Sequence, residues 1–115
     1  MLDTSPLTAA VERFADRLRA APQSRLQRGA AAEALELARE LAARAQRLED
    51  PAGAAPARRM PDAGVFVVGD QVTVAGQDLA EALRGVPEGD GTTAPSELLD
   101  EAVRLVEQAE VRAMR

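Results

Sequence analysis

The sequence predicts an all-α fold, an antiparallel four-helix bundle with a short first helix. Two observations carry that expectation. Apolar residues recur at three- and four-residue steps in four separate stretches, and Pro- and Gly-rich segments stand between those stretches. A third observation concerns the core. The chain has 115 residues, 25 of them Ala, and only two aromatic side chains, Phe14 and Phe66. Helices with Ala on their contact faces approach closely but bury less apolar area than Leu- or Phe-rich ones. One helical domain, 1–115, fits this length, and self-association is one way to make up the deficit in buried area.

Ser5-Pro6 reads as a helix start, with Ser as N-cap and Pro at the first helical position. Leu7, Val11, Phe14 and Leu18 follow on one stripe, and Pro22 closes the segment. Ser24-Arg25-Leu26-Gln27 fits a capping box. The second helix then runs to about Glu49 on a stripe of Leu26, Ala30, Ala34, Leu37, Leu41, Ala45 and Leu48. Residues 51–61, with three Pro and one Gly, read as a flexible linker. Residues 87–95 read as a Gly/Pro loop. The last helix begins near Ser96 and carries Leu98, Leu99, Ala102, Val103, Leu105, Val106 and Ala109.

The third segment has two readings. Val65-Phe66-Val67-Val68, Gly69-Asp70 and Gln71-Val72-Thr73-Val74 spell a β-hairpin, which would make the fold α+β, three helices plus a hairpin at 65–74. Against it, Val65, Val68, Val72, Ala75, Leu79, Ala82 and Val86 alternate by three and four without a break. A continuous helical phase through a supposed turn would be accidental, and a lone two-stranded hairpin is weak. The helix is the preferred reading, although the three glycines of this segment each cost it up to ~1 kcal/mol.

Composition excludes much chemistry. His, Cys, Trp and Tyr are all absent. That removes Ser/His/Asp and Cys/His nucleophilic arrangements, the Glu-x-x-His di-iron site, and soft metal ligands. Neither a cofactor nor a small-molecule substrate is expected. All 14 basic residues are Arg, interleaved with acids, and the net charge is −5, so no nucleic-acid footprint is expected. Lys, Asn and Ile are also missing, as a GC-rich bacterial genome would produce. The Arg58-Arg59 pair reads as a solubilising spot. The start lacks a basic leader followed by an apolar stretch, and Val65–Val68 is far too short to span a bilayer, so the expectation is a cytoplasmic protein with no membrane role.

Carboxylates are the plentiful catalytic material. Glu33-Ala-Leu-Glu36 and Glu97-Leu-Leu-Asp100 form an ExxE and an ExxD. This pair resembles the Mg²⁺-binding signature of the all-α nucleotide pyrophosphatases, the MazG-like family. The resemblance covers two four-residue motifs and implies Mg²⁺-dependent nucleotide hydrolysis by Glu33, Glu36, Glu97 and Asp100. The separation of some sixty residues exceeds that family's pattern. The simpler account is that acids favour the early turns of helices.

The preferred functional reading is interaction rather than catalysis. With Val65, Val68, Val72, Ala75 and Leu79 facing the core, Val67 and Val74 point nearly the opposite way, with Phe66 beside them. A helix apolar on two faces is either central or presents its second face to a partner. Phe66, Val67 and Val74 are therefore the candidate partner-binding residues of a small adaptor, regulatory or assembly module, with itself or another protein's helix as the partner.

Overall fold

Helix α1 spans Ser5–Ala20. Its start lies one residue earlier than the sequence implied. Thr4 precedes the helix, Ser5 is already helical, and Asp3 Oδ1 accepts both the Ser5 N–H at 3.0 Å and the Ser5 hydroxyl at 2.6 Å. At 16 residues α1 is the shortest of the four long helices described, though by one residue only. The chain then turns at Ala21 and Pro22 into a helical lead-in, Gln23–Arg25 followed by a π-turn over Leu26–Ala30. The capping box is not formed. Ser24 lies inside the first helical turn, and no side chain caps it. Gly29 explains the irregular turn: its φ of 148° lies where a side chain is strained, and there the path bends before α2 begins.

Helix α2 spans Ala31–Glu49, α3 spans Val68–Arg84 after a 3₁₀ turn at Val65–Val67, and α4 spans Pro95–Ala113. The structure, a computed structural model, describes residues 2–87 and 93–115, so most of the expected 87–95 loop lies outside the described residues. No strand occurs among the described residues, and the 65–74 hairpin is therefore corrected to a 3₁₀ turn running into α3. The long-phase stripe decided it. Val68 and Val72 are both buried, on one stripe with Ala75 and Leu79, whereas a hairpin turning at Gly69-Asp70 would have put Val68 and Val72 on opposite faces.

Side-chain pairings fix the helix directions. Arg19 meets Asp70 at 2.7 Å and Arg84 donates to Thr4 Oγ1 at 2.7 Å, so α1 and α3 are antiparallel. Glu33 meets Arg112 at 3.0 Å and Arg44 meets Glu101 at 2.6 Å, so α2 and α4 are antiparallel. Arg13 approaches Glu107 at 3.9 Å and Arg17 meets Glu110 at 3.0 Å, which makes α1 and α4 parallel. It follows that α2 and α3 are parallel too, and the chain runs up, down, down, up. The bundle is thus antiparallel across two of its sides only. Each of α1 and α2 packs against both α3 and α4, and the pair α1 and α2 stand diagonally.

A parallel α2–α3 pair requires a long return. Helix α2 has 19 residues and so spans about 28 Å. Residues 50–64 carry the chain back along it as an exposed strap, fixed at four points. Gln46 bonds Pro56 O (2.9 Å) and the Arg58 N–H (3.0 Å), Arg39 bonds Met60 O (2.8 Å), and Gln71 of α3 bonds Pro61 O (2.8 Å). The partner on α2 falls from 46 to 39 as the strap number rises from 56 to 60, which gives its direction. At its start the Asp50 carboxylate accepts the N–H groups of Ala55 and Ala54, and those bonds lower its pKa.

Among the described residues alanine supplies twelve of the 26 buried apolar residues, Leu nine, Val four and Phe one, so closely approaching helix backbones, more than large side chains, fill the interior. Phe14, Leu7, Leu18, Leu41, Leu79 and Leu83 are its largest fully buried members. Glu110 is the one buried charged residue among the described residues, and Arg13 (3.4 Å) and Arg17 (3.0 Å) both reach it from α1.

Candidate functional site

The start of α3 is built where the strap lands. Asp62 Oδ1 accepts the Gly64 N–H at 3.0 Å and closes a tight turn, from which Val65–Val67 winds as 3₁₀ helix into α3. The tighter winding rotates Phe66 outward, and it is 73% exposed. Val67, the residue that caps α3, is half-buried. Val74 stands seven residues on, two turns and about 10 Å along the axis, and is 50% exposed. Polar groups flank these residues. Arg19 donates to Asp70 (2.7 Å) and Thr73 (3.2 Å), and Thr73 Oγ1 donates back to Gly69 O (3.0 Å).

The acidic residues are dispersed. Glu33 is taken up by Arg112 at 3.0 Å near one end of the bundle. Glu36 faces solvent on α2. Glu97 and Asp100 are exposed in the first turns of α4. Because α4 is antiparallel to α2, Glu97 lies fifteen residues, about 22 Å, along α4 from the Arg112 that holds Glu33. The structure does not bring the four together, and no group of three or more His, Cys, Asp or Glu is placed to hold a metal among the described residues.

Glu101, not one of those four, has the more specific electrostatic environment. The hydrogen bond from Arg44 at 2.6 Å, and then the charge of that guanidinium, hold its carboxyl below the ordinary value of 4.5. A lowered carboxylate pKa stabilises the fold above pH 4.5, and that contribution is lost as pH falls through the lower folded value. Arg44→Gln is expected to move the Glu101 midpoint back up toward 4.5 in a carboxyl-carbon NMR titration. An unmoved midpoint would show that the α2–α4 pairing is not formed in solution.

One arrangement was missed by reading the sequence. Arg25 and Arg28 of the lead-in face Arg112 and Arg115 across a cleft of about 450 Å³, with Gly29 and Glu33 in its wall. Each pair is spaced by three residues, a signal present in the sequence. What the sequence lacks is any indication that the two pairs, some ninety residues apart, meet.

No described helix is long and apolar enough to cross a membrane. Compared with known protein families, with curated proteins and with solved structures, the chain matches none.

Proposed function

We propose that this protein is a small cytoplasmic, bacterial, non-catalytic interaction module whose contact surface is Phe66, Val67 and Val74, with a second copy of the chain or a partner protein's helix as the occupant. The observation that carries the reading is the exposure of Phe66, the one aromatic residue outside the core, at 73%. Holding a Phe in water forgoes up to about 3 kcal/mol that burial would return. A core made largely of Ala leaves the monomer little surplus with which to tolerate that. Val74 extends the spot by two turns, and the Arg19–Asp70–Thr73 network gives it a rim whose groups are already oriented. Arg-only basic composition and the absence of Cys agree with the proposed origin and compartment.

Sedimentation equilibrium across a concentration series tests the self-association arm. Wild type is expected to associate reversibly, and Phe66→Ser with Val74→Ser to weaken that association by about tenfold or more while leaving helicity unchanged. Wild type and variant that are equally monomeric at the highest soluble concentration, with equal retention of partners from lysate, would overturn the reading.

A further inference from the structure

We infer that the four-arginine cleft between the lead-in to α2 and the end of α4 binds a diphosphate group, free or carried on a nucleotide. The observations are independent of the Phe66 surface. Four guanidinium groups line one concavity in a chain whose net charge is −5, and Glu33 is the one acidic side chain in the wall. Glu33 is already paired with Arg112 at 3.0 Å. Arg25 donates to a terminal carboxylate oxygen of Arg115 at 3.1 Å, and Arg28 to the neutral carbonyl Ser24 O at 3.3 Å. Glu33 and that carboxylate offset two of the four positive charges, so the cleft keeps a net positive charge.

Helix electrostatics separates this cluster from ordinary terminal arginines. Arg112 lies in the last turn of α4 and Arg115 just past its end, where a cation is favoured. Arg25 and Arg28 lie before the N-terminal end of α2, where the aligned peptide dipoles disfavour a cation and favour an anion. An oxyanion in the cleft would offset the remaining positive charge and meet the N-terminal end of α2.

The chemistry of the donors indicates the ligand. Arginine presents a planar fork that grips two oxygens of a phosphoryl group. Two forks occupy the free oxygens of one phosphate, and four call for a second phosphoryl group. A cleft of about 450 Å³ holds a diphosphate with room to spare. Gly29 contributes no side chain, and a Cβ there would meet nothing within 4 Å, so its backbone is open to an approaching ligand. The lining residues include no aromatic ring on which a base could stack, so the phosphoryl groups are what is read.

Titration with inorganic pyrophosphate at constant ionic strength, followed by ¹H–¹⁵N NMR, tests the inference. Saturable shifts confined to Gly29, Ala30, Arg112 and Ala113 are expected, with ADP equivalent to pyrophosphate and AMP much weaker. Arg25→Gln with Arg28→Gln should weaken binding by about tenfold or more, whereas Arg58→Gln with Arg59→Gln in the strap should change it less than about twofold. Wild type should also gain thermal stability with pyrophosphate but not with sodium chloride of equal ionic strength, a readout that requires no variant. Absence of saturable shifts, equal losses in both double variants, or AMP as effective as ADP would overturn the assignment.

Discussion

Phe14→Ala is expected to lower the thermal midpoint by roughly 12–20 °C. The figure follows from a Phe-to-Ala cost of about 3–5 kcal/mol and about 4 °C per kcal/mol for a domain of this size. Phe14 is fully buried and is the single aromatic among the 26 buried apolar residues. The cost of such a deletion depends on whether neighbours can move into the space. Here that movement is restricted, because twelve of those residues are Ala, with no flexible chain to extend into a void. Helix backbones would have to shift instead, and α1 is tied at both ends, by Arg84 to Thr4 and by Arg19 to Asp70. The substitution therefore takes a large fraction of a total stability on the order of 5–15 kcal/mol. Differential scanning calorimetry measures it directly. A fall of less than about 5 °C would show that the cavity closes and that the Ala-rich interior is softer than its packing implies.

How much of this could be read from the chain differs between elements. The α3 stripe from Val65 to Leu79 was legible because burial repeats every three or four residues irrespective of local propensity. The β-prone Val-Phe-Val-Val run pointed the other way, and packing against two neighbouring helices outweighed it. Caps were less legible. Ser24 and Gln27 have the residue types of a capping box, but the chain enters the helix two residues earlier, so Ser24 has no terminal amide to serve.

Helix direction was not legible at all. Four stripes separated by breaks are compatible with several connectivities, and the short first turn suggested simple alternation. The decisive information lies in the strap. Gln46, Arg39 and Gln71 hold its carbonyls through side chains, which leaves no periodic trace in the sequence. A Pro- and Ala-rich run looks the same whether it dangles or is held. The candidate surface was partly legible. Phe66 and Val74 were expected outside the core and are exposed, while the 3₁₀ turn that half-buries Val67 was not foreseeable from a uniform 100° rotation per residue. The arginine cleft depends on residues 25–28 and 112–115 meeting, which only the tertiary fold provides.

Gly76→Ala is expected to destabilise the protein, against the usual direction for a glycine inside a helix. Replacing such a glycine with Ala ordinarily gains about 0.5–1 kcal/mol, because the unfolded chain loses freedom it would otherwise regain. At Gly76 a Cβ would sit 2.7 Å and 2.8 Å from the two Val11 methyl carbons and 3.2 Å from the Val11 Cβ. Those atoms belong to a fully buried, β-branched side chain with little rotamer freedom, so the contact is relieved only by moving α1 away from α3. Overpacking of this kind costs about 1–3 kcal/mol, which outweighs the propensity gain and lowers the midpoint by roughly 4–8 °C. The mechanism makes a second demand. On a Val11→Ala background the two methyl contacts are gone and the 3.2 Å contact with the residue 11 Cβ remains, so Gly76→Ala should then be close to neutral, with a coupling between the two sites of about 1–3 kcal/mol. A Gly76→Ala protein more stable than wild type, or a cycle with no coupling, would show that the α1–α3 approach is looser than these distances. The same approach sets the reach of Arg19 to Asp70 and Thr73, the polar rim beside Val74. Widening it should therefore weaken partner binding as well as stability, and restoring it in the double variant should recover both.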